Sequence, residues 1–542
     1  MRLNDRELQN RVQWEKAGIV LPRFDRAAMI QATMAFPEWI HFGAGNIFRI
    51  FPAALQQRLL EAGIERTGVV MVAGRDGGII EQVFKPCDNL TLAVTLKASG
   101  AIEKKVIASI ACSFWMGKAE DFETLKGMFR SPSLKMASLT ITEKGYNIRD
   151  GKGDLLPGTE EDFARGPAGG EGFAPAGYMA KIAALLYGRY LAGAKAGRLL
   201  PLALVSMDNC SHNGDRLFTS LEAFAAAWVE RGLAEKGFLE YIRNRDMVGF
   251  PWSMIDKITP GPDQGVKAML EKDGFEDTGL YSKTTPTAPF VNAEEPQYLV
   301  IEDAFPAGRP ALEQAGVLFT GRDTVDKVEK MKVCTCLNPL HTALAIFGCL
   351  LGYTRISEEM KNSDLVKLVE KIGYVEGLPV VSDPGIISPQ TFIDEVIKVR
   401  FPNPFMPDTP QRIASDSSQK IPIRFGETIK AYCAGDTLKA ADLRFIPLVL
   451  AAWLRYLMGF DDEGKPFTVS PDPLYAGLAP LLAGIKLGDA GPFHTAVEPI
   501  LSDPKIFAVN LYEAGLGEKV ENYFAELVAG PGAVAKTLRK YV

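Results

Sequence analysis

WIHFGAGNIFRIFPAALQQRLLEAG, residues 39–63, is the stretch whose reading decides the fold. Trp39–Phe42 is a short apolar run that reads as a strand. Gly43-Ala44-Gly45 follows at once, and Ile47, Ile50, Phe51, Ala54, Leu55 and Leu59 then recur at helical spacing until Gly63 closes the segment. After a short connection Val69–Ala73 reads as a buried parallel strand. Strand, glycine turn, helix and strand make a βαβ unit. Glycines at its first turn let the backbone approach a pyrophosphate, and the free N–H groups of a helix start favour anions. Candidate cofactor-binding residues are therefore Gly43, Ala44, Gly45, Asn46, Ile47 and Phe48. Phe48 stands where G-x-G-x-x-G has its third glycine, so the fingerprint is incomplete, and a glycine turn without a ligand is the competing reading. The second strand ends in Gly74-Arg75-Asp76. Asp76 is placed to grip a ribose 2′-hydroxyl, which favours NAD; Arg75 suits a 2′-phosphate, which leaves NADP open.

Further strands are expected at 136–141 and 202–207, each followed by a polar cluster, TEKGY at 142–146 and DNCSHNG at 208–214. In an open parallel sheet ligands bind beyond the carboxyl ends of strands, so Lys144 and Asn209 fall where substrate would lie. Asn213 reads as turn or cap chemistry. Residues 90–96 and 105–110 suggest a hairpin or edge extension, 121–129 and 178–196 helices, and 147–175 a long surface excursion rich in Gly, Pro and charge. Residues 1–36 read as a helical lead-in. Beyond residue 320 the pattern is almost wholly helical, as in 357–376, 390–400, 439–459 and 511–527. The expected architecture is an α/β, Rossmann-type domain over 1–320 followed by a mostly α-helical domain over 321–542.

A chain of 542 residues is too long for one core. The net charge of −6 supplies no basic excess for nucleic acid. No charge-free apolar run reaches the ~18 residues of a membrane span, and the charged start MRLNDRELQNRVQWEKAG has no hydrophobic segment of a signal peptide. Seven scattered cysteines suggest reduced thiols in the cytoplasm, and a lone C-x-C at 334–336 argues against a metal.

VEKMKVCTCLNPLHTALAIFGCLLGY, 328–353, reads as one long helix, apolar except where Glu329, Lys332, Asn338 and His341 stand. Ionisable groups on a buried helix are costly unless paired or working. A Lys, an Asn and a His together can supply a base, an oxyanion donor and an orienting group. A core helix with a solvated polar end is the alternative.

Several blocks extend this picture: GAGNIFR at 43–49, SLTITEKGY at 138–146, SMDNCSHNG at 206–214, FPWSMIDKITP at 250–260, VIEDAFPAGRPALE at 300–313, EKMKVCTCLNPLH at 329–341 and DTPQRIASDSSQK at 408–420. On them the chain resembles the polyol-specific long-chain dehydrogenases/reductases from about residue 36 to near the C-terminus. The resemblance implies a metal-independent oxidoreductase with NAD as cofactor and its site between a Rossmann-type and a helical domain. It implies Lys332 as general acid/base, Asn209 and Asn338 as oxyanion donors, and His341 as the group holding substrate and lysine. Glu329 would exchange protons with solvent, and Arg412 and Lys420 would contact the substrate, with Asp256 and Lys144 as further substrate-binding candidates. The expected reaction interconverts a 2-keto sugar acid and its aldonate, D-fructuronate and D-mannonate first. Mannitol oxidation and tagaturonate reduction are the runners-up, and a sugar-acid or nucleotide sensor is the alternative of another class. The partner expected is a small molecule, with no nucleic acid or membrane, and the protein a monomer or small homo-oligomer. One departure concerns spacing. Lys332 and Asn338 lie six positions apart where five are usual, so a π-bulge is expected between them. Pro339-Leu340 replaces the common Gly-Ser, and Phe51 replaces a histidine.

Overall fold

The computed structural model describes residues 1–542 apart from positions 171, 284 and 436. The chain divides into two units, Met1–Val325 and Asp326–Val542. The first is built on β1 (Trp39–Phe42), β2 (Val69–Ala73), β3 (Ile110–Trp115), β4 (Met136–Leu139), β5 (Leu202–Ser206) and β6 (Val248–Gly249). They pair in the order β3-β2-β1-β4-β5-β6, every neighbouring pair parallel. Strand order reverses between β1 and β4, so a crevice opens beyond their carboxyl ends, beside Gly43. β1, β2, β4 and β5 are buried at every position, which is why they read as unbroken apolar runs.

Helices α1 (Asn46–Ile50), α2 (Pro52–Glu61), α3 (Ala119–Phe129), α4 (Tyr178–Lys195) and α5 (Asn213–Glu230) supply the two faces. Ile40, Phe42, Val70 and Val72 share a core with Phe122 of α3, Leu185 of α4 and Phe224 of α5. Trp39, Val69 and Met71, the alternate strand positions, pack with Phe48, Leu55 and Leu59 of α1 and α2.

Three expectations are corrected here. The segment 46–62 is two helices, broken at Phe51 (φ −120°, ψ −76°). Pro52 has no N–H to continue the first helix and pushes the residue before it out of the helical region. The hairpin expected from 90–96 and 105–110 is present, but its second strand is Ile102–Ile107, and it lies in a separate sheet with Ile19–Val20 and Phe290–Glu294. The edge of the parallel sheet is Ile110–Trp115, which begins where the expected strand ended. The excursion 147–175, of which position 171 lies outside the described residues, contains a helix, Thr159–Arg165. The Asp162 carboxylate pins its far end by accepting the N–H groups of Ala176 and Gly177, each at 2.7 Å.

The second unit is helical. Helix α6 (Arg322–Lys330) runs through a π turn, Met331–Cys336, into α7 (Asn338–Leu350). The Leu337 N–H donates to the Lys332 carbonyl at 3.1 Å, a five-residue step that accommodates the extra residue expected from the spacing. The long helix thus begins at Arg322, earlier than expected. Its apolar window is long enough to cross a membrane but is 78% buried, as befits a core helix. Helix α8 (Phe445–Leu457), buried at all thirteen positions, packs against α7. Further π turns at Lys371–Gly377 and Val396–Arg400 end the segments read as helices over 357–376 and 390–400, and another lies at Pro422–Gly426.

Candidate active site

In the first unit a cavity of about 440 Å³ lies at the switch in strand order, lined by Gly43, Ala44, Gly45, Asn46, Ile47, Arg75 and Asp76 together with Thr140–Thr142, Gly145, Tyr178 and Asp208. Gly43 has φ +138°, and a Cβ there would lie 2.4 Å from the Thr140 carbonyl oxygen, so only glycine fits. A Cβ on Gly45 would meet nothing within 4 Å, and that position faces open space. Asn46 donates to the Pro260 carbonyl at 3.1 Å. Asp76 is held in place: Oδ1 accepts the Gly78 N–H at 2.9 Å and Oδ2 the Tyr281 hydroxyl at 2.7 Å. A glycine-walled turn, with an ordered carboxylate at the end of the second strand, fits the pyrophosphate and ribose of a dinucleotide.

Phe48 does not line this cavity. Its ring is fully buried and stacked at 3.8 Å on His41 of β1, so its side chain is core rather than cofactor contact. His41 Nδ1 pairs with Ser138 Oγ at 2.7 Å and Nε2 with Thr140 Oγ1 at 2.9 Å. Burial pushes its pKa well down, so the ring is neutral.

Asp208 closes the cavity's far wall. Oδ2 accepts the Ile141 N–H at 2.8 Å and the Tyr146 hydroxyl at 2.6 Å, and Oδ1 the Thr142 N–H at 2.9 Å. Burial raises its pKa against the pull of those bonds. Thr142 is held at φ +67°, in the left-handed region. Asn209 follows, exposed, in the loop after β5. Lys144 is exposed and lines an adjoining cavity of about 600 Å³. Asp256 is buried at the end of the strand Ser253–Asp256. Asn213 is a structural pin: it donates to the Ser253 carbonyl at 3.0 Å and accepts the Ser253 N–H at 3.0 Å.

In the second unit the π turn carries Lys332, 4% exposed. Asn338 opens α7, and its carbonyl accepts the Thr342 hydroxyl at 2.9 Å. His341, one turn on, sets its ring 5.1 Å from that of Phe401, with Nε2 3.7 Å from Asp408 Oδ2. Burial pushes its pKa down to about 4. Asp408 opposes the shift, while Arg424, Arg412 and Arg400 add to it, so the ring is neutral near pH 7. Glu329 is half-buried on α6, one turn before the lysine. Arg412 pairs with Asp408, its side chain 65% exposed. Lys420 donates to the carbonyls of Ile413 and Ser415, and burial lowers its pKa. The turn around α7 therefore gathers an ammonium, a neutral imidazole, an amide and several guanidiniums: groups that can stabilise a developing oxyanion and move a proton.

Sequence reading missed Asp208, Tyr281, Asp408 and Arg424. Asp408 carried a usable signal, standing four residues before Arg412, a spacing that pairs charges on a helix. The others act on partners far away in the chain.

A family model described as mannitol dehydrogenase Rossmann domain matches residues 37–314, and one described as mannitol dehydrogenase C-terminal domain matches residues 324–527. The chain belongs to the mannitol dehydrogenase family, has its fold, and is an oxidoreductase acting on CH–OH groups. It is 53% identical to the D-mannonate oxidoreductase of Thermotoga maritima, the match covering 100% of this chain and 99% of that one. It is 28% identical to a polyol:NADP oxidoreductase of Gluconobacter oxydans over 85% of this chain and 87% of that one. The Pseudomonas fluorescens mannitol 2-dehydrogenase, solved as a ternary complex with NAD and D-mannitol, superposes with a TM-score of 0.68 at 27% identity, covering 100% and 99% of the two chains.

Proposed function

We propose that the protein is an NAD-dependent oxidoreductase that interconverts D-fructuronate and D-mannonate. The observation that carries the reading is the 53% identity, end to end, with a D-mannonate oxidoreductase. The geometry supports it. Gly43–Ile47 and Asp76 suit the pyrophosphate and the ribose of a cofactor without a 2′-phosphate, since a carboxylate at that strand end repels one. Bound there, the nicotinamide supplies the hydride in reduction and takes it in oxidation.

The chain's own residues handle the oxygen. In reduction Lys332 gives its proton to the carbonyl oxygen as negative charge grows there; in oxidation it takes the alcohol's proton. Asn338 donates an amide hydrogen bond to the same oxygen, and Asn209 is the second donor. The neutral His341, its Nε2 3.7 Å from Asp408, holds the substrate hydroxyls without adding a charge, and Glu329 relays the lysine's proton to solvent. Arg412, Lys420, Asp256 and Lys144 complete the substrate contacts. Seven free cysteines suit a reducing cytoplasm.

Initial rates of NADH and NADPH oxidation with D-fructuronate, D-tagaturonate and D-fructose test the reading. A clear preference for fructuronate with NADH is expected. Preference for fructose moves the protein to the polyol-oxidising side of the family, and no turnover with any of the three overturns the assignment.

A further inference from the structure

We propose that Arg424 recognises the carboxylate of the substrate and thereby selects a sugar acid over a neutral sugar of the same length. The inference rests on the function proposed above and names the residue that would enforce it.

Arg424 lies half-buried on the π turn Pro422–Gly426. Its Nη1 donates to Thr342 Oγ1 at 2.6 Å, and that hydroxyl in turn donates to the Asn338 carbonyl. Thr342 directly follows His341. The guanidinium therefore stands one hydroxyl away from the first turn of α7, which carries Asn338 and His341, the residues assigned to the substrate above, and its charge helps to keep His341 neutral.

The neighbouring cations are already engaged by the protein. Arg412 is paired with Asp408 and is mostly exposed. The Lys420 ammonium is turned onto the Ile413 and Ser415 carbonyls. Arg424 differs: among the described residues no carboxylate is paired with it, and its hydrogen bond goes to a neutral hydroxyl. Burial alone pushes its pKa down to about 10, with no nearby anion to offset the cost. A guanidinium drawn out of water without an anion is expensive, and it has four further N–H donors in a rigid fork. A carboxylate accepts two of them side by side, which restores the lost solvation and fixes the substrate's far end. A neutral polyol has no group that does both.

The test uses the full chain with Arg424→Met and Arg424→Lys, NADH as reductant, and D-fructuronate against D-fructose. Arg424→Met should lower kcat/KM for fructuronate by about 30- to 100-fold, the scale of a lost charge-assisted pair. Whatever loss both substrates share, the fructuronate-to-fructose ratio of kcat/KM should fall by about 10-fold or more. Arg424→Lys, which keeps the charge and loses the fork, should fall between; should the Met variant fail to fold, a loss confined to fructuronate in the Lys variant gives the same answer. Equal losses with both substrates, or none with fructuronate, overturn the role of Arg424 while wild-type turnover of fructuronate leaves the proposed function standing. A wild-type enzyme that reduces fructose and not fructuronate overturns both.

Discussion

Replacing Asp208 by alanine should loosen the wall of the dinucleotide cavity, and the size of the effect follows from the bonds it makes. The carboxylate accepts from Ile141 N–H, Thr142 N–H and the Tyr146 hydroxyl. Bonds to a charged acceptor contribute about 1.5–3 kcal/mol each, and the exposed Thr142 N–H recovers water, so roughly two are lost outright. Two terms oppose the loss. Burial already penalises the charge, as its raised pKa shows. Thr142 at φ +67° also stores about 1–3 kcal/mol, which is released once nothing holds its N–H. The net loss of stability should be about 2 kcal/mol. The release of Thr142 should displace the 140–145 wall and weaken NADH binding about 10-fold or more, since each 1.4 kcal/mol is tenfold. Fluorescence titration with NADH and a melting curve measure both. Asp208→Asn, which keeps an acceptor, should be milder. Adding Thr142→Gly to the alanine variant should change NADH affinity little, because the strain is already gone. Asp208→Ala with NADH affinity within about 2-fold of wild type and an unchanged melting curve would refute the reasoning.

Lys332→Met should lower kcat by about 10²–10⁴-fold, the scale of general acid–base catalysis, with NADH still bound; steady-state rates with a parallel NADH titration check this. His341 has its folded pKa near 4, below the unfolded 6.5, so the unfolded chain binds more protons between the two. Its contribution to stability is present above pH 6.5 and is lost as pH falls through 4, and His341→Asn should flatten that limb in melting curves run from pH 7 down to 4. Glu359 is fully buried, neither carboxyl oxygen has a hydrogen-bond partner, and burial raises its pKa to about 9. Here the folded state binds the extra proton, so stability is full below the unfolded carboxyl pKa and drains away as pH rises toward 9. Glu359→Gln should therefore gain steadily on wild type in melting temperature as the pH rises from about 5 to 9; a difference that stays constant over that range would show that Glu359 is ionised in the fold.

What the sequence discloses depends on how far apart the partners lie. The Gly43 turn was legible because its requirement, φ +138° against the Thr140 carbonyl, is met by the residue itself. The bulge before Asn338 was legible as a count, since an extra residue inside a helix must widen one turn. Ile110–Trp115 was obscured because it follows Ile102–Ile107 with almost no connection, and the two strands belong to different sheets. The roles of Asp208 and of Asp408 toward His341 were hidden by distance, although the spacing of Asp408 to Arg412 was visible. Each meets its partner, the Ile141 N–H or His341, 67 residues away, where no periodicity reaches. The π turns at 371–377 and 396–400 were not legible because each continues the apolar spacing of the helix before it nearly intact.

The missing third glycine has a physical explanation in the same terms. That glycine ordinarily lets a helix pack closely on the first strand. Here α1 lasts only from Asn46 to Ile50 before Phe51–Pro52 breaks it, so the close approach need hold for little more than one turn. The ring of Phe48 fills the space left and lies flat, 4° from parallel, on His41 of β1. His41 in turn spends both ring nitrogens on Ser138 and Thr140 of the neighbouring strand and its end. Thr140 is the residue whose carbonyl forbids a side chain at Gly43. Phe48, His41, Thr140 and Gly43 thus form one packed chain from the helix to the turn. The turn's shape is enforced through a stacked aromatic pair where the familiar fingerprint uses a bare backbone.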